Sequence, residues 1–235
     1  RVHPNWRRRG VGTALIRYNQ QHARELAQTH PYDMPKKFVS YGADTAIGTQ
    51  TILAKEGFTP VRYFYDMVCD LAQHQLDVAL PTGIEVRPVS ADQYRQVWDA
   101  FTEAMRDHWN AWEPTEDDYQ QWLTDPTFEP SLWCVAWEGD QIVGQVLNFI
   151  KPAENEAFQR KRGYTENISV RRPWRKRGIA RGLIALSQAK LREHGMTEAA
   201  LRVDTENISG ALRLYEDCGY KVTKSVTHYH KPLEP

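Results

Sequence analysis

Two segments of this chain repeat one another. VHPNWRRRGVGTALI (2–16) and VRRPWRKRGIARGLI (170–184) agree at seven of fifteen positions: Val2/Val170, Trp6/Trp174, Arg7/Arg175, Arg9/Arg177, Gly10/Gly178, Leu15/Leu183 and Ile16/Ile184. The offset of 168 residues is far too long for a stacked solenoid. Farther on, ILAKEGF (52–58) aligns with LYEDCGY (214–220) at an offset of 162. The same order of signals thus occurs twice: a valine, a basic glycine turn, a helix, then a short helix closing on Gly-aromatic. Two copies of one domain is the economical reading, and it restricts the fold more than composition does. Nothing stands before the glycine turn of the first copy, so that copy is expected to be truncated at its N-terminus and the chain to be a fragment of a longer protein. The plan that follows is a first copy over 1–71, a Pro- and Gly-containing linker over 72–83 (AQHQLDVALPTG) and a complete copy over 84–235.

Local patterns order the second copy. IEVRPV (84–89) alternates as a strand. Ser90 or Asp92 can cap a helix running to about His108, and PTEDDY opens another with acidic residues in its first turn. SLWCVAWE and QIVGQVLNFI flank Gly139-Asp140, a hairpin signal. TENISV (165–170) is a strand entering the basic turn. Beyond it Ile179, Leu183 and Leu186 fall at helical spacing until Gly195 stops the run. EAALRVD (198–204), SGALRLYEDC (209–218) and YKVTKSVTHYH complete the order β-α-α-β-β-β-α-β-α-β. PAENEAFQRKRGY (152–164) reads as a mobile polar loop.

Composition narrows the function. Lys plus Arg equals Asp plus Glu at 30 each, whereas a dedicated nucleic-acid domain is basic overall. The six cations of RRPWRKRGIARGL (171–183) are therefore a local feature, and no nucleic-acid partner is expected. No apolar run approaches the ~18 residues of a membrane span, and no membrane partner is expected. The three cysteines, Cys69, Cys134 and Cys218, are odd in number and widely spaced, which suits buried small hydrophobes and a reducing cytoplasm.

A strand that ends in a glycine turn and opens a helix aims free backbone N–H groups and the helix dipole at one point, an anion site that suits phosphate. A Walker A loop needs a Lys-Ser/Thr ending that neither copy has. A dinucleotide fingerprint follows a first strand, whereas this turn follows the fourth. What remains is [Q/R]xxGx[G/A], from Arg175 to Ala180 and from Arg7 to Gly12. With ISVRRPWRKRGIARGL and DTENISGALRLYEDCGY in this strand order, the second copy resembles the GNAT superfamily of acetyl-CoA-dependent N-acetyltransferases. The tandem layout resembles its mycothiol-synthase-like members. The resemblance covers about 84–231 as a whole domain and 1–71 as the latter half of another. It implies an α/β (α+β) tandem GNAT fold with a mixed, mostly antiparallel sheet flanked by helices.

The resemblance also implies a site, with acetyl-CoA as cosubstrate and no metal. Backbone amides of the turn, over Arg175, Lys176, Arg177, Gly178, Ile179, Ala180 and Arg181, would cradle the pyrophosphate. Ile168, Ser169 and Val170 would offer main-chain hydrogen bonds to the pantetheine arm, and Asn207 would touch the cofactor arm. Asn207 stands eight residues before Tyr215 where seven is commoner, so Asn207 or Ser209 merely capping the helix is the alternative. The side chains of Arg171, Arg172 and Arg181 read as solvated surface.

Acetyl transfer needs a neutral amine, although an alkylammonium has a pKa near ~10.4. It also needs a donor for the developing oxyanion, here a backbone N–H at 168–170, and a proton for the leaving thiolate. Tyr215 is the candidate acid. Glu166 is the candidate base, with Asp204, Glu206 or a water chain as alternatives. Trp109 and Trp112 in HWNAW (108–112) are candidates for the acceptor pocket, with helix-connection packing the alternative. His228 and His230 share one strand face and read as a surface pair. In the first copy Leu53 stands at the place of Tyr215, and Thr45 or Ala46 at that of Asn207, so a supporting role is expected for it. The expected acceptor is a small-molecule primary amine. The alternatives are a peptide or protein amine, or a non-catalytic CoA-binding or interaction module.

Overall fold

The computed structural model describes residues 2–30, 35–109, 111–207 and 210–233. In chain order its elements are α1 (Val11–Ala27), β1 (Lys37–Ala43), α2 (Ile47–Lys55), β2 (Thr59–Asp70), β3 (Glu85–Arg87), α3 (Tyr94–Met105), α4 (Glu116–Leu123), β4 (Trp133–Glu138), β5 (Gln141–Ile150), α5 (Pro152–Ala157), β6 (Arg162–Val170), α6 (Ile179–Glu193), β7 (Glu198–Asp204), α7 (Ala211–Asp217) and β8 (Lys221–Pro232). The chain divides into two compact units. One holds Arg1–Tyr65, Asp204–Glu206 and Lys224–Pro235; the other holds Asp66–Val203 and Asn207–Thr223.

In the first unit β1 pairs antiparallel with β8, from Lys37↔Pro232 to Ala43↔Val226. Phe38, Leu53, Phe58 and Tyr229 form its core, with Ile16 and Ala23 of α1 packed against them. Arg62 of β2 holds Asp204 through Nε at 2.9 and 3.0 Å and reaches Glu206 through Nη1 at 2.9 Å.

In the second unit the strand order is β7-β6-β5-β4-β3. β3–β4, β4–β5 and β5–β6 are antiparallel, and β6–β7 is parallel. The period-2 alternation of β4 and β5 builds two cores. Cys134, Ala136, Val143 and Val146 pack with Ile179 and Leu183 of α6. Trp133, Val135, Trp137, Ile142 and Leu147 pack with Val97 and Ala100 of α3. α6 lies close on β6 because residue 163 is glycine: a Cβ there would sit 2.4 Å from Leu191 Cδ2. Ile179 and Leu183 face the core as their spacing predicts, whereas Leu186 is exposed.

The element order of the second copy is the one read from sequence, with one addition. The stretch read as a polar loop contains α5, which begins at Pro152 and carries Glu154 in its first turn. Pro at the first helical position gives up an N–H that a helix start leaves unpaired anyway. Glu154 accepts from both Tyr164 and Arg160, which fastens α5 to β6. Ser90 forms a capping box with Gln93 ahead of α3, and Thr115 caps α4. The 72–83 stretch lies on the second unit, where Leu80 packs on the α6-side core and Arg192 Nη1 donates to the His74 carbonyl at 3.2 Å.

All three cysteines are free and buried, as expected, and burial pushes each thiol up to about 11. Among the described residues no helix is long and apolar enough to cross a membrane.

Candidate active site

The basic turn is a backbone device. After a 3-10 turn at Arg172–Trp174, Lys176 adopts φ +62° and Gly178 φ +84°. Gly178 is the N-cap of α6, no side chain caps that helix, and no acidic residue stands in its first turn. A side chain at Gly178 would be strained by its φ although the space around it is open. Alternating left-handed residues at a helix start turn successive N–H groups inward, a concavity that suits an anion such as phosphate. The first copy repeats this backbone: a 3-10 turn at Pro4–Trp6, Arg8 at φ +62° and Gly10 at φ +81° capping α1. The repeat in sequence is thus a repeat in conformation.

The side chains of the turn have other work. Of Arg171, Arg172 and Arg181, read as solvated surface, the last two have exposed side chains, whereas Arg171 is part-buried; all three are paired. Arg171 Nε donates to Glu103 at 2.9 Å and its Nη1 to the Ile142 carbonyl at 3.0 Å. Arg172 donates twice to Asp107, and Arg181 reaches Asp217 at 2.8 Å. Arg175 bonds the Val170 carbonyl at 2.9 Å, Asp107 at 2.6 Å and the Ala104 carbonyl at 3.1 Å. Arg177 and the Trp174 indole share Glu138. Among the described residues, five of the six cations therefore sit in ion pairs. What the turn offers a ligand is its amides.

β6 supplies the second element of the site. Its register with β7 spans Arg162↔Glu198 to Tyr164↔Ala200, so Thr165–Val170 lies beyond that ladder. The register with β5 slips between Gln145↔Ser169 and Leu147↔Glu166, and Asn167 takes φ +50° in the slip. Such a bulge bends a strand and re-aims its side chains. Ile168 and Val170 pack partly on the α6-side core, and Ser169 is buried. In an antiparallel pair alternate residues direct their N–H and C=O away from the partner, so this stretch has main-chain groups to offer on its β7 side.

The two candidate catalytic side chains fall within electrostatic reach of one another. Glu166, half-buried at the bulge, has its pKa pushed up to about 7. Burial is the main cause; Arg202 and Lys151 pull the other way, and Asp66 adds to the rise. Arg202 is itself paired with Asp66 at 2.6 Å. Tyr215 of α7 is buried, and its phenol is pushed well up by burial first and by the charge of Glu166 second. Its ring meets Tyr220 edge-on with centroids 6.3 Å apart, and its carbonyl accepts from the Tyr220 amide. Tyr220 in turn bonds the Thr165 hydroxyl at 2.9 Å, next to Glu166.

The remaining candidates are placed unevenly. Asp204 and Glu206, the alternative bases, are committed to Arg62. Asn207 is half-buried and its carbonyl accepts from Gly210 N at 3.4 Å; Gly210, at φ +73°, is the N-cap of α7. Ser209, the other capping candidate, lies outside the described residues. Trp109 is half-buried, while Trp112 is 47% exposed. In the first unit Leu53 is fully buried at the place of Tyr215. A cavity of about 590 Å³ lies there between α1 and β1, and none of the candidate residues lines it. The ring of His228 lies tilted against those of Phe64 and Tyr41, with centroids 4.4 and 5.5 Å away. Sequence reasoning missed Glu103 and Asp107, whose only signal was acidity at the end of α3.

Comparison with known proteins adds an independent line. The family model described as Acetyltransferase (GNAT) family matches residues 94–220. A mycothiol acetyltransferase of Geodermatophilus obscurus is 27% identical over 224 residues, covering 93% of this chain and 68% of that protein. One from Cellulomonas flavigena is 26% identical, covering 98% and 66%. The chain thus spans about two thirds of the length of these curated relatives. Among solved structures, a GCN5-related N-acetyltransferase from Sphaerobacter thermophilus superposes with a TM-score of 0.84 at 27% identity, over all of this chain and 71% of that one. A tandem GNAT protein from the clavulanic acid biosynthesis pathway shares the fold, with a TM-score of 0.73 at 17% identity, over all of this chain and 74% of that one.

Proposed function

Because the chain belongs to the acetyltransferase (GNAT) family, we propose that its second copy, 84–235, transfers an acetyl group from acetyl-CoA to a primary amine by direct attack with donor and acceptor bound together. The first copy, 1–71, supports it. The fit of the cofactor to this chain rests on the turn: uncapped amides at Ile179 to Arg181, the left-handed Lys176 and Gly178, and arginine side chains drawn aside by carboxylates. These amides would hold the pyrophosphate, with Ile168, Ser169 and Val170 along the pantetheine arm and Asn207 beside it. Acetyl-CoA, when bound, supplies an activated acyl group on a thioester.

The protein's own groups divide the proton work. Glu166 takes a proton from the acceptor ammonium, and a carboxyl whose pKa is about 7 is a far better match to that task near neutral pH than an ordinary glutamate. A backbone N–H at 168–170 faces the developing oxyanion. Tyr215, kept protonated by burial, gives its phenolic proton to the departing sulfur. The observation that carries the reading is this pairing of a raised carboxyl with a buried phenol on neighbouring elements, beside an uncapped anion turn. Kinship with mycothiol acetyltransferases favours a small-molecule amine as the acceptor. No metal enters the scheme.

The test is a calorimetric titration with acetyl-CoA followed by a thiol-release screen over primary amines, with Tyr215→Phe alongside. One site per chain and amine-dependent release that falls in the variant support the reading. Binding without release by any amine supports a non-catalytic module instead.

A further inference from the structure

The three arginines that open the basic turn all lead to one place, the C-terminal end of α3. Arg175 Nη2 closes on the Ala104 carbonyl at 3.1 Å, one of the carbonyls a helix end leaves unpaired. Its Nη1 reaches Asp107 at 2.6 Å, and its Nε is anchored on Val170 at 2.9 Å. Arg172 grips the other side of the same carboxylate, and Arg171 holds Glu103 one turn back. Among the described residues beyond Asp107 there is neither helix nor strand until Thr115 caps α4; this stretch carries Trp109 and Trp112, and His108 and Ala111 make single turn bonds. The side chains of the turn therefore hold the end of α3 from which the stretch carrying Trp109 and Trp112 departs.

Resting on the proposed cofactor role of the turn, we propose that Asp107 is a positioning residue that couples acetyl-CoA binding to the order of the 106–115 loop. Ligand on the amides of residues 175–181 fixes the backbone from which Arg172 and Arg175 project, and their shared hold on Asp107 passes that order to the loop. The coupling is reciprocal, so an acceptor seated on the loop tightens acetyl-CoA by the same factor. Asp107 is a single point of failure because one carboxylate serves both arms.

Hydrogen exchange of peptides covering 104–115, measured with and without acetyl-CoA, tests this without an acceptor. In the wild-type chain acetyl-CoA should slow exchange of this loop about fivefold or more, the low end of ordinary coupling between sites. In Asp107→Asn, which keeps the shape and loses the charge, acetyl-CoA should still bind and protect 176–182 but leave 104–115 unchanged. Arg172→Gln, which removes one arm at a largely exposed side chain, should show a reduced effect. Equal slowing by acetyl-CoA in wild type and Asp107→Asn would overturn the coupling. Protection of 176–182 with none at 104–115 in the wild type would overturn it and leave the cofactor reading standing. No protection at 176–182 would remove both.

Discussion

Glu166→Gln should make the protein more stable as it makes it inactive. In the wild type the carboxyl rises from its ordinary 4.5 to about 7, chiefly because burial disfavours its charge. The folded state therefore holds the proton more tightly than the unfolded chain between these two values. Below 4.5 both states are protonated and the site costs nothing. As pH rises through the window the unfolded chain ionises first, and stability falls until the folded group ionises near 7. Above that the penalty is complete. At about 1.4 kcal/mol per tenfold change in proton affinity, the difference amounts to about 3 kcal/mol. Glutamine is nearly isosteric and uncharged, so it escapes the penalty. Denaturant titrations of both proteins at pH 4.5 and pH 8 measure it: the gain of Glu166→Gln over wild type should be near zero at the lower pH and about 3 kcal/mol at the higher. Turnover should fall by about 10²-fold or more, the usual contribution of a positioned base. Equal gains at both pH values would refute the desolvated carboxyl. Unchanged kcat would refute the base.

Three further outcomes follow from the same geometry. Tyr215→Phe keeps the packing against Tyr220 and removes the proton, so kcat should drop by about 10²-fold while acetyl-CoA affinity by calorimetry stays within about twofold. Gly178→Ala forces a side chain onto φ +84°, which should cost about 1–2 kcal/mol in thermal unfolding and weaken acetyl-CoA binding by disturbing the turn. Arg62→Ala leaves Asp204, whose side chain is 1% exposed, without its guanidinium, and should destabilise the protein by about 3 kcal/mol in denaturant, with Arg62→Lys recovering only part.

The elements of the second copy, the glycine turn, and the strand and helix that carry Glu166 and Tyr215 were legible because they depend on local periodicity and on one repeated backbone conformation. The partners of the cations were not. Arg172 and Asp107 are 65 residues apart and Arg62 and Asp204 are 142 apart, and no local pattern announces such pairs. For that reason the part-buried Arg171 read as surface, the exposed Arg172 read as unpaired, and Asp204 and Glu206 read as possible bases. α5 was legible in part, since Pro152 and Glu154 are a helix-start signal set among residues whose polarity argued for a loop. The raised pKa of Glu166 has no counterpart in sequence at all, because desolvation is a property of the packed site.

The pairing of the turn's arginines also sets how a ligand would arrive. Five of the six cations stand against Glu103, Asp107, Glu138 and Asp217, so the segment carries a smaller positive excess than it shows on paper. Long-range attraction of a polyanion raises encounter rates and fades with ionic strength. A turn whose charge is reduced in this way keeps only part of that acceleration and would hold a ligand chiefly by amides at contact range. Association would then gain less from charge and depend less on salt than the count of cations implies, and discrimination among phosphorylated metabolites would reside more in how long each one stays.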